Sequence, residues 1–367
     1  MSPHPFEPDT AARVAPALIA WHARNGRHDL PWQRERTPYR VWVSEIMLQQ
    51  TQVATVIPYY LRFMARFADV GALAAAPLDA VLHAWAGLGY YARARHLHRA
   101  AVQIHTEWGG VFPQHFADIA SLPGVGRSTA AAILALSRNE RHAILDGNVK
   151  RVLSRYFALE GPAAEHSAAL WAHSEACTPN ADVAIYTQAI MDLGATICTR
   201  RNPLCAFCPL SAHCRAHRLG RQHAIPAPRR VGARRQKHAF MLVAERTDGA
   251  VLLTQRPHAG VWGGLWCLPE FASAEAASAY LARTLAPAAG ELTALDAIEH
   301  AFTHFDLTVT PLWACCSGPG AVMDAPEMLW YNRREPQPVG LPAPVKALLE
   351  HLDAQRPTVP SLAEPHS

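Results

Sequence analysis

Four cysteines within seventeen residues constrain the fold of this chain more than any other feature. Cys198, Cys205, Cys208 and Cys214 follow the spacing C-x6-C-x2-C-x5-C. Four thiolates in so short a loop can close a tetrahedral site around a metal ion or a cluster. Zinc competes with a cluster for such a site, but zinc sites usually pair two C-x2-C units and this loop contains one. The spacing therefore predicts a metal or cluster loop rather than four unrelated buried thiols.

Positive charge is concentrated in and after this loop. Ten Arg and Lys residues and no Asp or Glu lie between 198 and 237, although the net charge of the 367-residue chain is only +4. A block of like charge is typical of a solvated linker, and also of a surface that binds nucleic acid by releasing counterions. Charge alone leaves both interpretations open.

The composition indicates a globular chain without a membrane segment. No apolar run approaches the roughly 18 residues that span a bilayer. Glu7 and Asp9 precede the first apolar stretch, which makes it a poor secretory signal. We therefore expect an intracellular protein, whose eight cysteines are thiols in a reducing compartment.

Apolar periodicity divides the chain into a helical part and a mixed part. The first 215 residues or so contain helical patterns, such as VWVSEIMLQQTQVATVI from Val41, for which Ser44 is a candidate N-cap. Residues 219–237 combine prolines with arginines, lack an apolar period and indicate a linker.

The remainder predicts an α+β domain. Two apolar runs around Asp248-Gly249 predict a hairpin, and residues 297–316 predict a second strand pair. Helical stretches near 273–286 and 343–353 complete this domain.

A glycine-rich turn and an aspartate stand out in the helical part. SLPGVGRSTAAAIL, residues 121–134, places Gly124 and Gly126 before a helical pattern, where backbone N–H groups can bind a phosphate. Such a turn is more often a simple corner between helices. Asp146 follows in ILDGNVKRVL, where Asp-Gly alone indicates a helix entry.

Together these features resemble the MutY-type adenine DNA glycosylases of the endonuclease III-like helix-hairpin-helix superfamily. The six-two-five cysteine spacing, the LPGVG hairpin followed by an aspartate, and SEIMLQQTQV at 44–53 carry the resemblance. It implies an all-α helix-hairpin-helix glycosylase domain with a [4Fe–4S] loop, followed by an α+β Nudix-like domain. The implied bounds are 1–218 for the glycosylase domain, 198–214 for its iron–sulfur loop, 219–237 for a basic linker, 238–355 for the Nudix-like domain and 356–367 for a disordered tail.

The resemblance also implies the chemistry. Glu45 would protonate adenine, Asp146 would stabilise the oxocarbenium-like sugar, and Asn148 would orient Asp146. Relatives that cut the strand by Schiff-base chemistry carry a lysine in the hairpin, where this chain has Ser128. The resemblance therefore implies base removal without strand cleavage.

Further positions are implied to contact DNA or the flipped base. Trp32 would form a pocket wall. At the next position, some relatives have Arg where this chain has Gln33. Gln50 and Thr51 would enter the duplex beside the adenine, Leu88 and Tyr90 would wedge the stack, and Gln188 would lie near the base. The implied set is Trp32, Gln50, Thr51, Leu88, Tyr90, Gly124, Gly126, Ser128 and Gln188.

The last domain is expected to bind and not to hydrolyse. Gly264 and Glu270 match the opening of a Nudix box, but residues 278–283 read SAYLAR where R-E-x-x-E-E would hold divalent metal. By resemblance, Phe302, Thr303 and His304 would recognise 8-oxoguanine. Thr303 replaces the serine of many relatives.

We therefore expect a monomeric, monofunctional adenine DNA glycosylase that acts on double-stranded DNA with adenine opposite 8-oxoguanine or guanine. The resemblance also implies a bacterial cytoplasmic protein associated with the nucleoid. Two alternatives are a bifunctional endonuclease III-like glycosylase/lyase and a non-catalytic iron–sulfur damage sensor. Ser128 and the last domain argue against the first, and the Glu45–Asp146 pair argues against the second. The linker is a candidate docking segment for repair or replication proteins.

Overall fold

The computed structural model describes residues 8–228, 234–285, 292–302, 304–316 and 327–355. The chain folds into two compact units. We call Met1–Ala75 with His96–Val231 the helical unit, and Ala76–Arg95 with Gly232–Ser367 the sheet unit. The predicted domain bounds remain predictions, and the fold adds the segment 76–95 to the sheet unit. Thr303 and the predicted tail 356–367 lie outside the described residues.

Helices make up most of the described chain before residue 219. In chain order they are α1 (Pro8–Ala12), α2 (Val14–Asn25), α3 (Pro38–Leu48), α4 (Val53–Arg66), α5 (Val70–Ala75), α6 (Leu78–Trp85), α7 (Ala92–Trp108), α8 (Phe116–Ser121), α9 (Arg127–Arg138), α10 (Gly147–Tyr156), α11 (Ser167–Cys177), α12 (Val183–Asp192) and α13 (Arg215–Arg218). Within the described ranges, no helix is long and apolar enough to cross a membrane.

The helical pattern that starts at Val41 folds as two helices, and its predicted N-cap is wrong. Helix α3 begins after Thr37, whose side chain accepts a hydrogen bond from the Arg40 N–H, and Pro38 occupies its first position. Ser44 lies inside α3 and donates to the Val41 carbonyl at 2.8 Å. Gln50 has a φ of 58°. This left-handed backbone conformation cannot continue a right-handed helix, so α3 and α4 are separate. Apolar spacing alone did not reveal this turn.

The predicted helix-hairpin-helix is confirmed as α8, a short turn and α9. Gly124 has a φ of 78°, and a Cβ on it would lie 2.8 Å from Cβ of His96, so only glycine fits there. Gly126 has a negative φ of −93° and caps α9. Its Cβ position faces open space, so the absent side chain leaves the helix N-terminus accessible.

The sheet unit contains a mixed sheet with two helices, α14 (Ala274–Thr284) and α15 (Ala343–Gln355). Its strands are β1 (Arg235–Arg246), β2 (Val251–Gln255), β3 (Trp266–Cys267), β4 (Glu270–Phe271), β5 (Thr293–Ala294), β6 (Ile298–Ala301), β7 (Phe305–Cys316) and β8 (Met328–Tyr331). The strand order is β3-β2-β1-β7-β5, with β4 on β1, β6 on β7 and β8 on β2.

Both predicted strand pairs are confirmed. The β1–β2 hairpin turns at Asp248-Gly249, and β6 pairs antiparallel with β7. The central pairing of β1 with β7 is parallel, from Arg235 opposite Phe305 to Arg246 opposite Cys316. The apolar side of this sheet packs against α14 through a buried cluster of Leu242, Ala244, Leu252, Leu281, Leu285, Ala314 and Cys316. Burying large aliphatic side chains of this kind stabilises the unit by about 1.5–3 kcal/mol each.

Part of the predicted basic linker, residues 219–237, makes contacts that the structure describes. Ile225 is buried, and its carbonyl accepts a hydrogen bond from Nε of Arg155 at 2.8 Å. At the other end, strand β1 already begins at Arg235. The described residues before 229 are therefore packed on the helical unit.

Candidate active site

A cavity of about 920 Å³ opens in the helical unit. Its lining comes from segments far apart in sequence, and it includes both predicted catalytic carboxylates. The predicted residues on its wall are Trp32, Glu45, Gln50, Thr51, Ser128, Asp146, Asn148 and Gln188. The fold thus brings together eight of the positions selected from sequence.

Glu45 extends from α3 into this cavity. Glu45 is half-buried on the cavity wall, and the charge of Asp146 lies nearby. Burial first, and the Asp146 charge second, raise the pKa of Glu45 to about 8. Glu45 therefore carries a proton at neutral pH, as a general acid requires.

Asp146 is the N-cap of α10. Its Oδ1 accepts a hydrogen bond from the Val149 N–H at 2.7 Å, which is the usual capping geometry. Burial raises the pKa of Asp146, but the N–H groups of Val149 and Asn148 and the charges of Arg151 and Lys150 oppose that shift. At Glu45, by contrast, burial and the neighbouring charge both raise the pKa. The two carboxyl groups thus sit in different electrostatic environments, which favours different protonation states.

Arg151 ties the start of α10 to the chain that leads into the cysteine loop. It donates to Oδ1 of Asn148 at 2.8 Å, to the Gly194 carbonyl at 2.5 Å and to the Cys198 carbonyl at 2.7 Å. A Cβ on Gly194 would lie 2.6 Å from Cβ of Asn148, so this approach needs glycine. Asn148 is therefore held beside Asp146, and its amide is engaged by Arg151.

Ser128 has a contact that the sequence did not reveal. Its hydroxyl oxygen accepts a hydrogen bond from the Leu145 N–H at 2.9 Å. Ser128 lies in the first turn of α9, and Leu145 directly precedes Asp146. Ser128 thus fixes the backbone that leads into Asp146.

A buried carboxylate that sequence reasoning missed supports the cavity. Asp192 accepts hydrogen bonds from Arg27 N, Nε and Nη2 at 2.8, 2.9 and 2.6 Å, and from Nε2 of Gln188 at 2.8 Å. Burial alone would raise the pKa of Asp192, but the hydrogen bonds from His22 and Arg27 lower it. Arg27 and Gln188 both line the cavity, so Asp192 orients two wall residues. The only sequence signal is a charged residue four positions after Gln188 in an otherwise apolar helix.

The remaining wall positions differ in burial. Trp32 is buried and packs edge-on against Tyr60, with ring centroids 5.4 Å apart. Gln50 is exposed at the α3–α4 turn, and Thr51 follows it with its N–H bonded to the Leu48 carbonyl at 3.2 Å. Trp32 therefore forms a fixed wall, whereas Gln50 is presented outward.

The four loop cysteines are all free thiols that influence one another electrostatically. Burial raises the pKa of Cys208 to about 12, and Cys198, Cys214 and Cys205 add to the shift. Nη1 of Arg155 lies 3.3 Å from Sγ of Cys198. In the described ranges, no group of three or more His, Cys, Asp or Glu side chains is arranged to hold a metal ion. The fit to a cluster rests on the four-thiol donor set and on this N–H···S contact.

The predicted wedge residues lie in the sheet unit, in a turn between α6 and α7. Leu88 is 5% exposed and Tyr90 is 45% exposed. Tyr90 has a φ of 52°, and its ring lies 5.0 Å from the Arg93 guanidinium. Tyr90 is thus presented to solvent, and Leu88 is packed within the unit.

Two of the predicted lesion-reading residues, Phe302 and His304, lie between β6 and β7. The Phe302 ring contacts three other rings, Trp262 at 5.4 Å, His300 at 4.5 Å and Phe305 at 4.5 Å between centroids. His304 is exposed beside them. We call these residues, with Phe302 at the centre, the Phe302 turn.

Two family models match the chain. The first, described as an HhH-GPD superfamily base excision DNA repair protein, matches residues 43–173. The second, described as a NUDIX domain, matches residues 240–351.

Curated proteins are similar over most of the chain. The adenine DNA glycosylase of Buchnera aphidicola subsp. Baizongia pistaciae is 35% identical over 342 residues, which are 90% of this chain and 94% of that protein. The adenine DNA glycosylase of Homo sapiens is 32% identical over 405 residues, covering 93% of this chain and 74% of that protein.

Solved structures share the fold of the helical part. A thermostable thymine-DNA glycosylase superposes with a TM-score of 0.53 and 26% identity, over 57% of this chain and 98% of that chain. A non-covalent endonuclease III–DNA complex gives a TM-score of 0.51 and 19% identity, over 59% of this chain and 99% of that chain.

Proposed function

Because the chain belongs to the family of adenine DNA glycosylases, we propose that it excises adenine opposite 8-oxoguanine, and more slowly opposite guanine. As a member of that family it is a DNA N-glycosylase of base excision repair. The observation that carries the proposal is the pair Glu45 and Asp146, which face one cavity of about 920 Å³ in different electrostatic environments.

The cavity has the volume of a small-molecule pocket and lies within the helical unit, so it has room for a nucleoside that has left the duplex. The target adenine must therefore leave the duplex, at a cost of a few kcal/mol for unstacking and unpairing. Trp32 supplies a wall for the flipped base, and Gln188 supplies an amide.

Glu45 is the general acid in this proposal. Its proton passes to N7 of adenine, which makes the base a better leaving group. The bond from the sugar C1′ to adenine N9 then breaks, and the base leaves with the electron pair. The Glu45 carboxylate is left to accept a proton from the attacking water.

Asp146 stabilises the positive charge that develops on the sugar. Its carboxylate is held by the Val149 N–H, so it needs no reorganisation when the charge appears. Water adds its oxygen to C1′, and the products are free adenine and an abasic site.

Ser128 limits the reaction to hydrolysis. A hydroxyl cannot form an imine with C1′, and this hydroxyl already accepts the Leu145 N–H. We therefore propose that the enzyme is monofunctional and leaves the strand intact.

We also propose that Cys198, Cys205, Cys208 and Cys214 hold a [4Fe–4S] cluster. When bound, the cluster would supply a covalent cross-link for a loop that carries Arg200, Arg201, Arg215 and Arg218. These guanidinium groups would face the DNA backbone, whose phosphates attract them.

The sheet unit would read the base opposite the adenine. Rings such as Phe302 stack on any base, and polar neighbours such as His304 add selectivity by hydrogen bonding. Glu270, which matches the Nudix box, is instead paired with Nη1 of Arg256 at 2.6 Å. The unit therefore binds the lesion without nucleotide hydrolysis.

Single-turnover excision from four duplexes tests this proposal. We expect the rate to fall in the order adenine opposite 8-oxoguanine, adenine opposite guanine, and adenine opposite thymine, with no excision from cytosine opposite 8-oxoguanine. Equal rates opposite 8-oxoguanine and guanine would contradict the lesion specificity. Removal of a base other than adenine would contradict the substrate.

A further inference from the structure

The carboxylate of Asp79 joins the start of segment 76–95 to the sheet. Asp79, in the first turn of α6, accepts a hydrogen bond from Nε2 of Gln255 at 2.9 Å and another from Nε1 of Trp266 at 3.3 Å. Gln255 ends β2 and Trp266 begins β3. Both carboxylate oxygens are thus used to join α6 to two neighbouring strands.

A second contact fastens the other end of the segment. Nη1 of Arg95 donates to the Gly263 carbonyl at 2.6 Å. A Cβ on Gly263 would lie 2.3 Å from the His258 carbonyl oxygen, so this loop admits only glycine there. The donor and the acceptor are therefore both held in place.

Between these two contacts lies the turn formed by residues 86–91, which joins α6 to α7 and which we call the Tyr90 turn. Gly87, Gly89 and Tyr90 all have positive φ angles, of 95°, 77° and 52°. The Gly89 carbonyl accepts hydrogen bonds from Nε1 of Trp85 at 3.1 Å and from Nη2 of Arg93 at 3.3 Å. A left-handed conformation at a tyrosine is unfavourable and persists only where the surroundings hold it.

The Arg95 contact also reaches the Phe302 turn. The residue before Gly263 is Trp262, which itself has a positive φ of 55° and whose ring lies 5.4 Å from that of Phe302. Arg95 therefore bonds the backbone of the same short loop that supports the Phe302 ring. Helix α7, which begins directly after the turn that carries Tyr90, is thus bonded through Arg95 to the loop that supports Phe302.

We propose that Asp79 and Arg95 are positioning residues for specificity, which hold the Tyr90 turn and the Phe302 turn as one element that reads the base opposite the adenine. This inference rests on the proposed function, in which Tyr90 enters the stack and Phe302 reads the lesion. With both turns fixed, Tyr90 and the Phe302 turn would contact 8-oxoguanine at a fixed distance from each other. Guanine gains less, because it lacks the O8 and N7–H of 8-oxoguanine, with which His304 of the Phe302 turn can hydrogen-bond.

The contacts around Asp79 allow its role to be separated from folding. Leu82, on the same helix, packs against Gly264 and Gly340 by apolar contact, and that packing does not involve Asp79. Asp79→Asn keeps the side-chain volume and leaves one acceptor for two donors. We therefore expect a folded protein with a loosened segment.

The test is single-turnover excision opposite 8-oxoguanine and opposite guanine by Asp79→Asn. We expect the ratio of the two rates to fall about five- to tenfold, which lies within the roughly two- to thirtyfold changes produced by residues that link two sites. The rate opposite guanine should change less than the rate opposite 8-oxoguanine. Asp69→Asn is the matched control, since Asp69 likewise lies at a helix start. Its Oδ1 accepts from the Ala72 N–H, and it has no partner in the sheet unit among its described hydrogen bonds.

A double-mutant cycle with Phe302→Ala decides whether the effect is coupling or general loosening. If Asp79 acts through the Phe302 turn, Asp79→Asn changes the rate ratio little in the Phe302→Ala background. Full additivity of the two substitutions, or an equal loss opposite both bases, would overturn the proposal. If Asp79→Asn lowers the thermal midpoint of unfolding, Arg95→Gln provides the same test at the other end of segment 76–95.

The wild-type rates separate this inference from the function beneath it. If the wild-type enzyme shows no preference for 8-oxoguanine, the proposed function fails and the inference falls with it. If the wild type shows the preference and Asp79→Asn retains it in full, only the inference fails.

Discussion

The cavity of the helical unit gathers charged groups from distant parts of the chain, whereas the Phe302 turn gathers aromatic rings. Glu45, Asp146 and Asp192 each have a pKa displaced from its usual value. The Phe302 ring packs against three other rings. Charges in a low-dielectric cavity act strongly on bond cleavage, and stacked rings act on recognition. Substitutions of Glu45 and Asp146 in the first region should therefore lower every rate, and those in the second should alter mainly the choice of mispair.

The largest effect is expected for Asp146→Asn. The neutral amide still caps α10 but cannot stabilise the charged sugar, so single-turnover excision should fall about 10³-fold opposite both 8-oxoguanine and guanine. DNA affinity, measured by gel shift, should stay close to that of the wild type. Asp182→Asn is the matched control, because Asp182 is an exposed helix N-cap whose side chain makes no capping hydrogen bond. A loss opposite only one base would contradict the role assigned to Asp146.

Glu45→Gln should lower excision about 10²-fold, through loss of the transferable proton. The wild-type rate should also fall as the pH rises through about 8, because the raised pKa keeps Glu45 protonated only below that value. Each further pH unit should then cost about tenfold until another step limits the rate. Glu45→Gln should lack this alkaline decline. A flat wild-type profile across the range from neutral pH to well above the pKa of Glu45 would exclude Glu45 as the acid.

Asp192→Asn should mainly affect stability. Removing one partner of a buried ion pair leaves a buried charge, and since Arg27 is 25% exposed we expect a loss of about 2–3 kcal/mol in the free energy of unfolding. Urea denaturation measures it. Glu175→Gln, at an exposed pair with Arg127, should cost less than about 0.5 kcal/mol. Equal losses in the two variants would show that Asp192 does not support the cavity.

Phe302→Ala should give the smallest effect and the most selective one. Losing a stacking ring costs about 1–3 kcal/mol per base, so excision opposite 8-oxoguanine should fall about tenfold. Excision opposite guanine should fall less, because Phe302 also holds the turn that carries His304, whose hydrogen bond favours 8-oxoguanine in this proposal. The duplex with guanine therefore serves as the internal control. An equal fall on both duplexes would place the Phe302 turn in general DNA binding and erase the contrast between the two regions.

The parts of this site that form local patterns could be predicted from sequence. The hairpin around Gly124, the aspartate that follows it and the β1–β2 turn all depend on neighbouring residues. Asp192 did not stand out, because its partner Arg27 lies 165 positions away. The parallel pairing of β1 with β7 is equally non-local. Ser128 was informative for the amine it lacks, while its bond to Leu145 emerged only from the fold.

Two further features of the fold could not be predicted from apolar spacing. The break at Gln50 is a backbone conformation that apolar spacing cannot encode. The segment 76–95 has helical spacing like its neighbours, yet its polar contacts through Asp79 and Arg95 attach it to the sheet. Pattern reasoning located the elements, and tertiary hydrogen bonds determined which unit each element joined.

The most direct test of the account is single-turnover reaction with a duplex that holds one end-labelled adenine strand opposite 8-oxoguanine, analysed with and without hot alkali. The account predicts strand scission only after alkali, because Glu45 and Asp146 hydrolyse the glycosidic bond and Ser128 offers no amine. Scission without alkali would show that another amine attacks the sugar and would contradict the monofunctional mechanism. No scission under either condition, with tight binding to the duplex, would contradict catalysis by this cavity altogether.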